Sequence, residues 1–430
     1  MHLTGRDRRA FLFVAAGLLA FAAACGSGPA SVELDPLPEL PELRVPPESK
    51  LEASRVSFPL AHRGGDLELL LEWIPDIEAA KEGFLVNDYE ARRTHAGITA
   101  PSQDAGFSEL GDYFHGLTDF QGKVVDLQIA PFSWISGIHR FIEQTTTFPY
   151  LAFDGRNTDQ VAVVGDESTG LFEIVRGRYD PALTAAALAA CEICRPGKTI
   201  EHRGETFYAW GGDFELDNFA RLSPPAYDDE GRGGRIWVDD GLAIRTLRSD
   251  DMKLAIDTVK GSAPSLADNE DYRLAARALT AFDVVDAEFK QAGFQFGDLA
   301  KDVEFAAFLA PERRLRPNDV DDVLAVGGLL KPFSLAAVGT GFEDEKIFTA
   351  LVLVHPDEES AAANVERLVE RIATGSQPFG GRAWDRVIER IEIGTNGRLL
   401  IARLFSHRGR VPLLADQQNG DGFNPLLVYR

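Results

Sequence analysis

The sequence predicts an α+β fold, with antiparallel, hairpin-rich sheets and helices packed on one face. Three observations predict it: tight-turn dipeptides between apolar strands, helical periodicity directly after several strand pairs, and recurrence of that order along the chain. A doubly wound parallel sheet would instead show strict alternation of single strands and helices, and the chain lacks that pattern.

Hairpins are indicated by residues that readily adopt the positive φ angles of a tight turn. Asp240-Gly241 and Asn396-Gly397 each lie between two short apolar segments, and the charged segment 343–346 lies between two longer ones. The predicted hairpins are 235–246, 391–402 and 334–354.

Each predicted helix carries terminal signals. The helix over 252–259 follows the potential N-cap Ser249 and ends at Gly261. The helix within 356–375 has acidic residues in its first turn and arginines near its end, as the helix dipole favours. Another helix is predicted to begin at Asp180-Pro181, because proline is well tolerated at the first helical position.

The order strand, turn, strand, helix recurs along the chain, which we interpret as a degenerate ββα repeat. The three segments are 160–190, 234–260 and 334–373. The small-residue and proline stretch 261–265 is the predicted domain boundary, which divides the folded part into α+β domains at 56–264 and 265–430.

Residues 237–247, 250–260 and 265–271 form a hairpin, a helix and the run Ser-Leu-Ala-Asp-Asn that opens another helix. This order resembles a pattern in an uncharacterised family of exported bacterial proteins, for which no activity is established. The residues alone also predict a helix that is capped by Ser265 or Asp268 and runs to about Thr280.

The first 24 residues predict a signal peptide. Arg6, Arg8 and Arg9 form a positive region, and residues 10–24 form an uncharged apolar run that ends in small residues. A helix of that length spans roughly 22 Å, less than the ~30 Å hydrocarbon core of a bilayer, so a permanent spanning helix is disfavoured.

The run Ala22-Ala23-Ala24-Cys25 resembles a bacterial lipoprotein signal, in which the cysteine is acylated and becomes the first mature residue. Arg8 and Arg9, followed after one residue by Phe11-Leu12, resemble a twin-arginine export signal. These resemblances imply export and lipoprotein-processing machinery as partners, and a lipid anchor at Cys25 on the extracytoplasmic face of the cell membrane. The alternatives are an uncleaved anchor and a chance cysteine after an alanine run.

Residues 25–55 are predicted to be the lipidated cysteine followed by an acidic, proline-rich linker. Six of the 23 prolines lie within 26–50, and proline favours extended polyproline geometry over helix.

The formal net charge is −23, and it becomes −25 without residues 1–24, which hold three arginines and one aspartate. Anionic lipids would repel such a body, so a lipid rather than a basic patch would hold it at a membrane. The same charge balance argues against a nucleic-acid partner.

The pair Cys191 and Cys194 is predicted to form a short disulfide in an oxidising compartment, with free buried thiols as the alternative. A thioredoxin-like redox pair is disfavoured, because the cysteines follow a predicted helix whose C-terminal dipole opposes a thiolate. A zinc site with His202 would lack an evident fourth ligand. We predict no cofactor, no metal and no catalytic residue.

The leading hypothesis is a non-catalytic, membrane-anchored binding or structural protein. The alternative is a secreted hydrolase whose residues meet only in the fold, as catalytic triads do. A third hypothesis, the solute receptor of a transporter, would require two parallel-sheet lobes around a cleft, and the predicted hairpins disfavour it.

Overall fold

The computed structural model describes the folded part of the chain. The described residues are 51–61, 66–102, 105–120, 123–124, 155–165, 171–190, 196–213, 233–292, 330–343, 346–374 and 383–406, with the single positions 152, 215, 411 and 427. They lie within one compact unit, Glu48–Arg430. The fold is α+β, as the sequence predicts.

The described residues contain fifteen strands and eight α-helices. The strands are β1 (Glu52–Arg55), β2 (Phe84–Asp88), β3 (Asp119–Phe120), β4 (Lys123–Val124), β5 (Thr158–Val164), β6 (Phe172–Gly177), β7 (Lys198–His202), β8 (Glu205–Ala209), β9 (Arg235–Asp239), β10 (Leu242–Thr246), β11 (Asp286–Gln291), β12 (Leu335–Glu343), β13 (Lys346–Val354), β14 (Ile388–Asn396) and β15 (Leu399–Ser406). The helices are α1 (Asp66–Leu71), α2 (Glu78–Glu82), α3 (Tyr89–Ala96), α4 (Phe107–Thr118), α5 (Pro181–Ala190), α6 (Ser249–Val259), α7 (Glu270–Thr280) and α8 (Glu358–Thr374).

Thirteen strands form one mixed, mostly antiparallel sheet. Its order is β1-β14-β15-β13-β12-β11-β2-β5-β6-β10-β9-β8-β7. The pairing of β1 with β14 is the one parallel pairing among the described strands, and β3 and β4 form a separate hairpin. Strands on the two sides of the predicted boundary at 264/265 meet where β2 pairs with β11. The described parts of both predicted domains therefore share one sheet.

Helices cover both faces of this sheet, so the prediction that they pack on one face is wrong. On one face, α1, α2, α6 and α7 pack into a continuous apolar core, here called the first core. On the opposite face, α3, α4 and α5 cover one half of the sheet and α8 covers the other. The reason is visible in β13, which is buried at every position after Lys346. Strands that are apolar on both sides require cover on both sides.

The predicted hairpins are present. Gly241 has a φ of +72° and Gly397 a φ of +55°, both in two-residue turns, and this left-handed region favours glycine. The predicted hairpin-helix segments correspond to β5-β6-α5, β9-β10-α6 and β12-β13-α8. Their helices differ in placement, since α6 packs into the first core and α5 and α8 pack on the opposite face.

The capping predictions are mostly confirmed. The Asp180 carboxylate accepts a hydrogen bond from the backbone N of Ala182 at 2.8 Å. Ser265 and Asp268 form a reciprocal capping box, which opens a short 3-10 helix just before α7. Ser249 differs, because it is the first residue of α6 and its hydroxyl donates to Asp213 at 3.0 Å instead of capping the helix.

The predicted linker ends earlier than residue 55. Residues Glu52–Arg55 form β1 along the edge of the sheet, opposite residues 390–393 of β14. The next backbone N, that of Val56, donates to the carbonyl of Ile393 at 3.0 Å. A Cβ on Gly394 would lie 1.9 Å from the Val56 carbonyl oxygen, so glycine permits this close approach.

Candidate functional site: a buried polar row

Four polar side chains form a continuous row across the middle of the sheet, here called the polar row. Asn87 on β2 pairs in register with Asp286 on β11, which pairs with Thr340 on β12, which pairs with Thr349 on β13. All four point to the face opposite the first core. Val86, Ala287 and Phe348, which precede or follow Asn87, Asp286 and Thr349, belong to the first core, and Thr340 shares the face of Val338, which lies in the core under α8.

The polar row separates two apolar cores on that face. Beyond Asn87, the next register partner is Val161, which belongs to the core under α3, α4 and α5. Beyond Thr349, the next partner is Leu404, which belongs to the core under α8. The first core, on the other face, runs through both halves without such an interruption.

Arg92 of α3 lies over the polar row and is fully buried. Its Nη2 donates to Asn87 Oδ1 at 2.6 Å and lies 3.8 Å from Asp286 Oδ2. Its Nε donates to the carbonyl oxygen of Val285 at 3.3 Å. The guanidinium therefore supplies the positive charge that a buried carboxylate at Asp286 requires.

The local sequence explains how Arg92 reaches this position. β2 ends at Asp88, and α3 begins at the next residue with Asp88 as its N-cap. The Asp88 carboxylate accepts from the backbone N of Ala91 at 2.7 Å and from Gln160 Nε2 at 2.6 Å. Burial raises the pKa of Asp88, and these two hydrogen bonds act against that rise.

Three atoms of the polar row have no hydrogen-bond partner among the described residues. They are Asn87 Nδ2, Asp286 Oδ2 and Thr340 Oγ1. The exposed fractions of these residues are 1%, 5% and 0%. Asp286 Oδ1 accepts from the backbone N of Thr340 at 3.0 Å, and Thr349 Oγ1 accepts from the backbone N of Val411 at 2.7 Å. The row thus presents one free donor, one free acceptor and one hydroxyl, a set that can hold a small polar group.

A second buried ionic contact lies on the same face. Arg245 Nη1 on β10 donates to Glu173 Oε2 on β6 at 3.1 Å, and both side chains are fully buried. The two residues are direct register partners. The pair neutralises two charges inside an apolar environment.

A buried histidine joins β13 to α8. His355 Nδ1 donates to the carbonyl oxygen of Leu353 at 3.2 Å, so Nε2 accepts from Asn364 Nδ2 at 2.8 Å. Asn364 also exchanges two hydrogen bonds with the backbone of Lys331, at 2.7 and 2.9 Å. Burial lowers the pKa of His355 to about 4, so the ring is neutral at neutral pH.

The predicted site residues Cys25, Arg8, Arg9, Cys191 and Cys194 lie outside the described residues. His202, the third ligand of the disfavoured zinc site, is described. Its Nε2 lies 2.8 Å from Asp257 Oδ1, and Arg203 Nε lies 3.2 Å from the same oxygen. His202 is therefore part of a partly buried polar cluster with Asp257 and Arg203.

The described part of the chain shows neither a metal-binding cluster nor a membrane-spanning helix. No group of three or more His, Cys, Asp or Glu residues is arranged there to hold a metal ion. Of the helices described, none combines the length and the apolar character needed to cross a bilayer.

Comparison with known proteins yields only distant similarity. No protein-family model and no curated protein matches the chain. Crystal forms I and III of a protein named TP0453 align with 79% of this chain and with 93% and 94% of their own, at 10% identity and a TM-score of 0.33. Crystal form IV aligns with 82% of this chain and 95% of its own, at 10% identity and a TM-score of 0.31. These values are too low to support an argument about function.

Proposed function

We propose that this chain is an exported lipoprotein, anchored through Cys25 to the extracytoplasmic face of the cell membrane, whose folded body is a non-catalytic binding or structural module. The observation that carries the proposal is the N-terminal sequence. A positive region with Arg8 and Arg9, an apolar run of limited length and Ala-Ala-Ala-Cys occur there in the order that export and lipidation require.

The buried charges of the body support a binding or structural role. Glu173 and Arg245 neutralise each other. Arg235 donates to the carbonyl oxygens of Trp210, Gly211 and Gly233. Groups held by such contacts stabilise the fold, whereas a catalytic group has to be available to a substrate.

A secreted hydrolase is the second candidate. The observation in its favour is the 2.8 Å contact between His202 and Asp257, since a carboxylate that orients a histidine is part of many hydrolytic sites. Hydrolysis would further require a nucleophile or an activated water at the other ring nitrogen of His202, Nδ1.

The proposal also covers the internal repeats, the domains and the disulfide of the folded body. We infer that the segments 160–190, 234–260 and 334–373 are degenerate ββα repeats, and that they are distributed over two α+β domains, 56–264 and 265–430. The shared hairpin-helix order supports this inference. A disulfide between Cys191 and Cys194 would suit the exported location.

The anchor is tested by replacing Cys25. We expect the precursor of the Cys25→Ser variant, produced in a bacterial host that processes lipoproteins, to lose all incorporation of an alkyne-labelled fatty acid. The mature body should then leave the membrane fraction, because an acidic body has no electrostatic attraction to anionic lipids. The matched control is Cys191→Ser, which should keep full labelling and sedimentation. Labelling of Cys25→Ser at the level of the unaltered chain would contradict the anchor.

The export route is tested at the twin arginines. Changing Arg8 and Arg9 together to lysine keeps the positive charge of the region but removes the paired guanidinium groups. We expect at least a tenfold drop in exported protein, with precursor accumulating inside the cell, measured by pulse-chase and protease accessibility. Arg6→Lys is the control and should be exported normally. Normal export of the double variant would show that the general secretory route carries this chain.

A further inference from the structure

We propose that the polar row encloses a binding site for a single water molecule, held between Asn87, Asp286 and Thr340. The site goes beyond the proposed anchor and binding role, because it concerns the interior of the sheet where its two halves meet. It rests on three contiguous register positions and on the polar atoms left free at each of them.

The spacing suits a bridging molecule. Directly opposed residues of antiparallel strands have Cβ atoms roughly 4.5–5.5 Å apart. Asn87 and Thr340 both pair with Asp286, so their side chains stand on its two sides. A molecule next to the Asp286 carboxylate therefore has the amide of Asn87 on one side and the hydroxyl of Thr340 on the other.

The chemistry of the free atoms selects a neutral molecule with both donors and acceptors. Asn87 Nδ2 can only donate, Asp286 Oδ2 can accept, and Thr340 Oγ1 can do either. A cation there would face the guanidinium of Arg92, and an anion would face the carboxylate of Asp286. Arg92 already balances Asp286, so no further charge is needed. Water matches this set, because it donates two hydrogen bonds and accepts two.

Burial limits the size of the occupant and explains why it would be retained. The three residues are at most 5% exposed, so their polar atoms are shielded from bulk solvent. Leaving three buried polar atoms unpaired costs far more than immobilising one water. Buried waters in proteins typically make about three hydrogen bonds to such atoms.

The direct test is a crystal structure of the mature full-length chain at a resolution that shows ordered water. We expect one water oxygen at about 2.7–3.2 Å from Asn87 Nδ2, Asp286 Oδ2 and Thr340 Oγ1. An empty row, or Asn87 Nδ2 bonded directly to the Asp286 carboxylate, would overturn the proposal.

A variant pair tests the same site in solution. Thr340→Val keeps the branched shape and removes one partner of the water, so the equilibrium constant for unfolding should rise about fivefold. The control is Thr280→Val, because Thr280 Oγ1 on α7 also has no hydrogen-bond partner among the described residues but stands outside the polar row. For Thr280→Val, the equilibrium constant for unfolding should stay the same or fall. If both variants changed the equilibrium constant for unfolding equally, the Thr340 hydroxyl would not be hydrogen-bonded to a buried water. If Thr340→Val does not fold, the crystal structure of the unaltered chain decides.

Discussion

Replacing Arg245 with methionine is expected to lower the free energy of unfolding of the mature chain by about 3–5 kcal/mol. The change removes the guanidinium that pairs with the fully buried carboxylate of Glu173 in the interior of the sheet. A buried charge that loses its counter-charge is among the most costly single defects in a folded protein. Chemical denaturation at neutral pH, followed by tryptophan fluorescence and circular dichroism, measures the effect.

A second substitution separates the lost charge from the lost packing. The double variant Arg245→Met with Glu173→Leu should recover most of the stability, because well-packed apolar side chains can replace a buried ion pair. Lys253→Met, which breaks a solvent-exposed contact with Asp250, is the surface control and should leave the denaturation midpoint in place. If Arg245→Met lowered the free energy of unfolding no more than Lys253→Met does, the Glu173–Arg245 pair would not be the buried contact that the structure shows.

The second large effect is a loss of stability in mild acid that originates at His355. The pKa of His355 is about 4 in the folded chain, against 6.5 for an unperturbed histidine. Between these values the unfolded chain binds more protons, so stability is complete above about pH 6.5 and falls as the pH approaches 4. The total loss from this residue is about 3 kcal/mol, since each pKa unit corresponds to about 1.4 kcal/mol.

Geometry explains why the protonated ring is excluded. A proton on Nε2 would face the Asn364 amide, whose Nδ2 already donates to that nitrogen. The other groups near the ring do not offset the cost of burying its positive charge. The Phe333 ring is apolar, and Arg398 donates to the His355 carbonyl. Asp357 is exposed to water, which screens its charge. Acid should therefore release α8 from the backbone at Lys331 before it disrupts distant parts of the fold.

The measurement compares denaturation of the unaltered chain and of His355→Gln from pH 7.5 to pH 4.5. The variant should be less stable at pH 7.5, and the difference between the two proteins should shrink by about 2.5 kcal/mol towards pH 4.5, because the full loss is reached only below pH 4. His95→Gln, at a partly exposed histidine beside Asp283, is the control and should follow the unaltered chain. A constant difference across this range would show that His355 does not titrate as expected.

Local features of the fold were predictable from the sequence, because they depend on neighbouring residues. Asp240-Gly241 forms the predicted turn, and the second turn lies one residue later than predicted, at Gly397-Arg398, because Asn396 pairs with Leu399 as the last residue of β14. The capping box of Ser265 and Asp268 depends on four consecutive residues. Strand order was not predictable, because it depends on pairings between distant segments such as β2 and β11. The placement of helices on both faces follows from that order.

The polar row was not predictable from the sequence, because it also depends on pairings between distant segments. Asn87, Asp286 and Thr340 come from three strands far apart in sequence, and no local motif links them. The available signal was polarity at positions whose alternation predicts burial, as for Thr340 in β12. That signal identifies individual residues, whereas the row exists only once the register of four strands is known.

The parallel pairing of β1 with β14 also determines how mechanical tension would enter the protein. Any force transmitted from residues before Glu52 reaches the sheet through β1, which lies alongside β14 from Glu52 to Arg55. A pull along the strand axis would load these interstrand bonds together in shear, and the bond from Val56 to Ile393 would share it. A load applied at Glu52 would therefore be divided among several interstrand hydrogen bonds rather than break them one after another.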